Sequence, residues 1–158
     1  MIFLTVGTQF PFDRLVKAVD DACGKGLVED EIFAQIGKAS YKPVNFKYVE
    51  SLDKHDFDKK IKEASCLISH AGMGTITMAL EHNKPLLVMP RLAKFGEVVN
   101  DHQVDIVSQF EQLGHVLVAH TEDQLPEKIK ELKTFVPKPR KNQAQLVVDR
   151  INGFLNEL

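Results

Sequence analysis

A chain of 158 residues, 44% of them hydrophobic, fits one domain with a real core and is not a disordered segment. A formal net charge of -2 and a pI near 6.3 give no basic field, which excludes nucleic acid as an expected partner. The two cysteines, Cys23 and Cys66, form no C-x-x-C pair and read as two buried thiols of a reducing compartment, not as a disulfide framework.

In chain order, Met1 to Val6 is apolar, lacks a basic flank and stops at Gly7, too short for a signal peptide or a membrane span. A cytoplasmic protein is expected. Ile2 to Val6 reads as a buried strand. Pro11 suits a first helical position, and Phe12, Leu15, Val16 and Val19 follow at helical spacing with Asp13 at the positive end. Glu31 to Gly37 and Asn45 to Glu50 are the second and third strands. Phe57, Ile61 and Ala64 mark one face of a helix. Cys66 to Ser69 is the fourth strand, with a helix following Gly74. Pro85 to Pro90 is the fifth strand, and Val104, Val107 and Phe110 mark the next helix. His115 to Ala119 is the sixth strand. Thr121 and Gln124 predict a capping box for a helix carrying Leu125, Ile129 and Leu132. After the linker "TFVPKPRK", residues 141–158 predict a terminal helix with Ala144, Val147, Val148, Ile151 and Leu155 on one face.

Strands apolar on both faces, alternating with helices, require a parallel sheet covered on both sides. The expected fold is α/β, a doubly wound, Rossmann-like parallel sheet forming a single domain over 1–158. In such sheets ligands bind beyond the carboxyl ends of the strands. The polar and glycine-rich loops gather there: "GTQ" (Gly7 to Gln9), "SHAGMGT" (Ser69 to Thr75) and "PRLAKFGEVVNDHQ" (Pro90 to Gln103).

Gly72 and Gly74 stand between a strand and a helix. A helix N-terminus offers free N–H groups and the positive end of the dipole, and glycine lets a diphosphate approach them, with Thr75 adding a hydroxyl. Glycines that only shape a tight turn are the plainer reading. The pattern is neither G-x-G-x-x-G nor a P-loop. Glu81, two turns after Gly74, is either a solvated charge or an acceptor for ribose hydroxyls. Asn100 to Gln103 reads as a helix cap, with Asn100 or Asp101 at the N-cap, or as a set of side chains for a hydroxyl-rich ligand. Asp56 and Asp58 resemble a metal-binding D-x-D, but Lys54, Lys59, Lys60 and Lys62 around them indicate a solvated helix face. The six histidines have no zinc-site spacing, and there is no G-x-S-x-G elbow.

Taken together, "VGTQFPFDRLV", "ISHAGMGTITMALE" and "NDHQ" resemble the carboxyl-terminal, donor-binding half of family 28 glycosyltransferases. The likeness runs in motif order from Met1 to about Leu113; beyond that it rests on length and the terminal helix. It is strongest to the small subunits of split transferases. These are the catalytic partner of the eukaryotic enzyme that adds the second GlcNAc to dolichol-linked oligosaccharide, and its bacterial exopolysaccharide and capsule counterparts. The resemblance implies the C-terminal half of a GT-B architecture. Carried over by position, Gly72, Met73, Gly74 and Thr75 hold the diphosphate, Glu81 the ribose, and backbone near Tyr48 and Val49 the uracil. Asp101, His102 and Gln103 contact the donor sugar. Gly7, Thr8 and Gln9 line the cleft near the phosphates and the acceptor. His70 lines the cleft and is the candidate in this chain for proton transfer.

The implied function is the donor-binding catalytic subunit of a two-component transferase. It moves a sugar from a UDP-sugar to a lipid-linked acceptor, with no metal or other cofactor. The implied partner is a membrane-anchored, acceptor-binding subunit that recruits the chain to the inner face of the membrane. A non-catalytic nucleotide-sugar binding module is the rival reading, and a self-sufficient homodimeric transferase a weaker third.

Overall fold

The computed structural model describes residues 1–7 and 10–138. Six strands form one sheet: β1 (Ile2–Thr5), β2 (Ile32–Gln35), β3 (Lys47–Val49), β4 (Cys66–His70), β5 (Leu86–Met89) and β6 (Leu117–Val118). Their order is β3-β2-β1-β4-β5-β6 and every pairing is parallel, with Ile2 opposite both Ile32 and Cys66, Leu67 opposite Leu86 and Leu87 opposite Leu117. The expected doubly wound sheet is therefore present.

The uniformly apolar strands are explained by two cores. Successive strand side chains point to opposite faces. Ile2, Leu4, Val6, Ile68, Leu87 and Met89 enter one core with α1 (Asp13–Gly24) and α5 (Leu125–Leu132). Phe3, Leu67, Leu86 and Val88 enter the other, with α2 (Lys54–Glu63), α3 (Met73–Glu81) and α4 (His102–Gln112). Two buried polar side chains of the sheet are bonded: Ser69 donates to the Thr5 carbonyl at 2.5 Å, and Gln35 accepts the Leu52 N–H at 3.0 Å.

Several boundaries differ from the sequence expectations. Pro11 is not helical: Phe12 holds φ −135°, ψ 63° with its ring fully buried, so α1 starts at Asp13. The helix expected after Gly74 begins one residue before it, at Met73. The Thr121–Gln124 capping box does not form. A 3-10 turn over Glu122–Gln124 intervenes, Thr121 bonds Asp123, and Gln124 accepts from the His120 N–H at 2.9 Å. Val104 is half-buried beside the buried Val107 and Phe110. Of the cysteines, Cys66 is buried but Cys23 only half so; burial pushes both thiols up. The terminal helix expected over 141–158 lies outside the described residues. Among those described, no helix is long and apolar enough to cross a membrane.

Asp56 and Asp58 lie on α2, as the lysine-rich context predicts. The cap that starts this helix is Asp53, whose Oδ1 accepts the Asp56 N–H at 2.8 Å. At the other end Lys84 Nζ donates to the carbonyls of Lys62 and Ala64, at 2.9 and 2.6 Å. Asp53→Ala is expected to cost about 1 kcal/mol in urea unfolding. Asp56→Ala with Asp58→Ala is expected to stay within about 0.5 kcal/mol of the parent protein.

Candidate functional site

The strand order reverses between β1 and β4, and the loops leaving β1, β4 and β5 meet beyond their carboxyl ends, where open α/β sheets bind ligands. The β4–α3 turn is the sharpest of them. Gly72 is the N-cap of α3 in extended geometry, with no side chain capping the helix. The first intrahelical bond runs from the Ile76 N–H to the Gly72 carbonyl at 3.1 Å. The N–H groups of Met73, Gly74 and Thr75 therefore have no partner within the helix, and Met73 and Gly74 are exposed.

The two glycines do different work. A Cβ on Gly72 would stand 2.3 Å from His70 Cε1 and 3.0 Å from its Nδ1, so nothing larger than glycine fits without moving the ring. Gly74 is exposed, and a Cβ there would meet nothing within 4 Å. Glycine at 72 makes room for His70; glycine at 74 leaves the surface beside the amides bare.

His70 ends β4 with its ring between two loops. One edge faces Gly72, and Nε2 lies 3.2 Å from where a Cβ on Gly7 would be. Gly7 is in turn backed by Gly37, whose φ of +62° favours glycine and whose absent Cβ would sit 3.5 Å from the Gly7 carbonyl. Burial, and secondarily the charge of Arg91, push the His70 imidazole down to about 4. It is neutral at physiological pH, and its Nδ1 is buried without a partner among the described residues.

A charged cluster underlies the β5–α4 loop. Arg14 forks onto Glu97, with Nε to Oε2 and Nη2 to Oε1 both 3.0 Å, and also donates to Glu122 at 3.1 Å and to the Pro90 carbonyl at 3.0 Å. Its guanidinium lies 4.8 Å from the Phe95 ring centre and 5.4 Å from that of Phe12. Glu97 additionally accepts the Leu92 N–H at 3.0 Å. Within the loop, Asp101 accepts the Ala93 N–H at 2.9 Å and Gln103 Oε1 accepts the Arg91 N–H at 3.1 Å. Asp101 stands at the N-cap position of α4 but does not cap it; Asn100 accepts the His102 N–H at 3.0 Å instead.

Of the residues singled out in the sequence, the structure thus brings Gly7, His70 and Gly72 into one packed unit. It places Met73, Gly74 and Thr75 at the first turn of α3, and Asp101, His102 and Gln103 at the start of α4. Thr8 and Gln9 lie outside the described residues. Tyr48 and Val49 are on the edge strand β3, where the Val49 carbonyl already accepts the Ile36 N–H at 3.0 Å. Glu81 is exposed at the far end of α3. It shares the face of Gly74 but lies about 10 Å along the axis at 1.5 Å per residue, and is not gathered with the loops. Arg14, Arg91 and Glu97 are absent from the sequence reading. Arg91 had one available signal, an arginine directly after the proline that closes a buried strand. The Arg14–Glu97 pair joins segments 83 residues apart and had none.

Two concavities flank this region. One of about 340 Å³ is lined by Phe10, Pro11, Asp13, Arg14, Phe95 and Glu97, while another of about 550 Å³ lies along α1 toward Glu122 and Pro126. Gly72 and Gly74 line neither.

Residues 1–154 match the glycosyltransferase family 28 C-terminal domain. The human UDP-N-acetylglucosamine transferase subunit ALG13 is 32% identical over 124 residues, covering 73% of this chain and 10% of that protein. The chain thus spans only a small part of this relative's length. Among solved structures, Acinetobacter baumannii MurG aligns with a TM-score of 0.65 at 20% identity, over 96% of this chain and 49% of that one. The NMR structure of ALG13 aligns with a TM-score of 0.58 at 22% identity, over 95% and 93%. At these identities the structural likeness concerns the fold.

Proposed function

Because the chain belongs to the glycosyltransferase family 28 C-terminal domain family, we propose that it is the donor-binding subunit of a two-component glycosyltransferase. In this reading it moves a sugar from a UDP-sugar to a lipid-linked acceptor in glycan or polysaccharide synthesis. The observation that carries the reading is the bare first turn of α3, with three uncapped amides under an open Gly74 at the sheet's switch point. A helix N-terminus suits the diphosphate of UDP, and preorganised N–H groups stabilise the charge that develops as UDP leaves. No metal is required for that stabilisation. The similarity to a protein named as a UDP-N-acetylglucosamine transferase subunit supports UDP-GlcNAc as the donor.

His70 serves as a packing and positioning group rather than the general base. It is wedged between Gly7 and Gly72, and an imidazole held near 4 takes a proton weakly at neutral pH. The base comes from an acceptor-binding partner, which carries the membrane attachment and recruits this chain to the cytoplasmic face. That placement of His70 also keeps a second reading in view, a nucleotide-sugar binding module without chemistry of its own.

Isothermal titration with UDP and a panel of UDP-sugars, followed by transfer assays with and without the partner, tests the proposal. UDP binding with partner-dependent transfer, insensitive to EDTA, is the expected result. UDP binding without transfer in any combination favours the module, and absence of nucleotide binding removes both readings.

A further inference from the structure

Among the described residues, Arg91 is a buried cation with no ion-pair partner. It is 3% exposed, and burial lowers its affinity for its proton, opposed by the nearby Glu97. Glu97, however, is engaged by Arg14 and the Leu92 N–H. The Arg91 guanidinium instead donates from Nη2 to the Phe10 carbonyl at 2.6 Å and lies 5.2 Å from the Phe12 ring centre. Its Nε is buried and has no partner among the described residues. Nη1 lies 4.0 Å from the place a Cβ on Gly7 would take, on the side where His70 Nε2 also sits. Its own N–H is held by Gln103.

Burying an unpaired charge is costly, so a neutral side chain of similar volume would pack here more favourably. What the guanidinium adds is reach in several directions at once. Through Phe10 it holds the β1–α1 loop, and beside Gly7 it approaches the His70 ring that spaces the β4–α3 turn, while Arg91 itself belongs to the β5–α4 loop, where its main-chain N–H is held by Gln103. We propose that Arg91 is a positioning residue whose forked cation sets the mutual register of these three loops, so that ligand binding at the α3 N-terminus depends on it without direct contact. The binding clause rests on the donor-site reading above; the register clause does not.

The test uses Arg91→Met and Arg91→Lys in the full chain, with histidine-labelled NMR and UDP titration. Arg91→Met is expected to raise the His70 midpoint above about 4 while burial, the larger cause, still holds it below the ordinary histidine range, to shift the amides of Gly7, Phe10, Gly72 and Gln103 together, and to weaken UDP by between about tenfold and a hundredfold. Arg91→Lys keeps the charge but not the fork. It is expected to leave His70 near its original midpoint while still shifting the Phe10 region, a split that a packing role alone does not produce. If Arg91→Met does not fold, the lysine variant decides the matter by that split. A folded Arg91→Met with unaltered His70 titration and unaltered loop amides overturns the register proposal. If the parent protein binds no UDP, the donor reading falls and the loop shifts alone decide the register. If the shifts appear but UDP affinity does not change, the binding clause is overturned.

Discussion

Gly74→Val is expected to leave the protein folded and to weaken UDP binding by about a hundredfold. The site above Gly74 is open, with nothing within 4 Å of an added Cβ, so a side chain there strains nothing in the protein itself. It does cover the approach to the Met73, Gly74 and Thr75 amides. Losing two hydrogen bonds to a charged ligand, at about 1.5 kcal/mol each, gives about 3 kcal/mol, or a hundredfold. Gly72→Val is the informative contrast. Its Cβ starts 2.3 Å from the His70 ring, so this variant is expected to lose thermal stability as well as affinity. Circular dichroism melts and UDP titrations of the two variants separate the roles. Wild-type UDP affinity in a folded Gly74→Val protein would mean that the first turn of α3 is not where the nucleotide binds.

The architecture was legible because each strand is apolar on both faces. Ile2 and Phe3, adjacent in sequence, enter different cores, and only a sheet covered on both sides accommodates that. Boundaries were less legible where tertiary packing overrode local preference. Pro11 favours a helix start, but burying the Phe12 ring demanded non-helical backbone there. Thr121 and Gln124 have the spacing of a capping box, but a Thr121–Asp123 hydrogen bond two residues on competed with it.

The site was legible only in its glycines. Spacing does not reveal that a histidine two residues earlier folds back over Gly72, which gives that glycine a packing role of its own. Asp101 and Gln103 were read as ligand-facing, yet each spends an oxygen on its own loop, at Ala93 and Arg91. The contacts of the cations at the base of the loops were not legible because their partners are distant in sequence. Arg14 meets Glu97 and Glu122, and Arg91 meets Phe10 across 81 residues.

Asp20→Ala is expected to cost the fold about 2 kcal/mol and to do so with a characteristic pH dependence. Asp20 is 1% exposed on α1, where it accepts from the Tyr41 hydroxyl at 2.5 Å, the Asn45 N–H at 2.8 Å and the Val44 N–H at 3.2 Å. Removing it takes the acceptor from three donors; Val44 and Asn45 are exposed and their N–H groups are rehydrated, so each lost bond costs about 0.5–1 kcal/mol and not a full burial penalty. Burial alone would push this carboxyl up, but the bonds from Tyr41, Asn45 and Val44 outweigh it and hold the pKa below its usual value. The stabilisation is therefore complete above the unfolded-state pKa of about 3.9 and is lost as pH falls through the lower folded value. On the alkaline side the hydrogen bond to Asp20, then burial, push Tyr41 up to about 12, so its contribution is complete below about 10 and fades only as pH rises toward that value. In urea unfolding, the difference between parent and variant should be flat from about pH 5 to 9 and shrink below about pH 4. Shrinkage already visible between pH 7 and 5 would mean that Asp20 is raised, not lowered, by folding. The same contacts tie the segment leading into β3 to α1, with Asn45 Nδ2 also donating to the Asp20 carbonyl at 3.1 Å. If the base of UDP lies along β3, Asp20→Ala should weaken UDP more than inorganic pyrophosphate, which needs only the amides of α3. Equal losses for the two ligands would move the base away from that edge of the sheet.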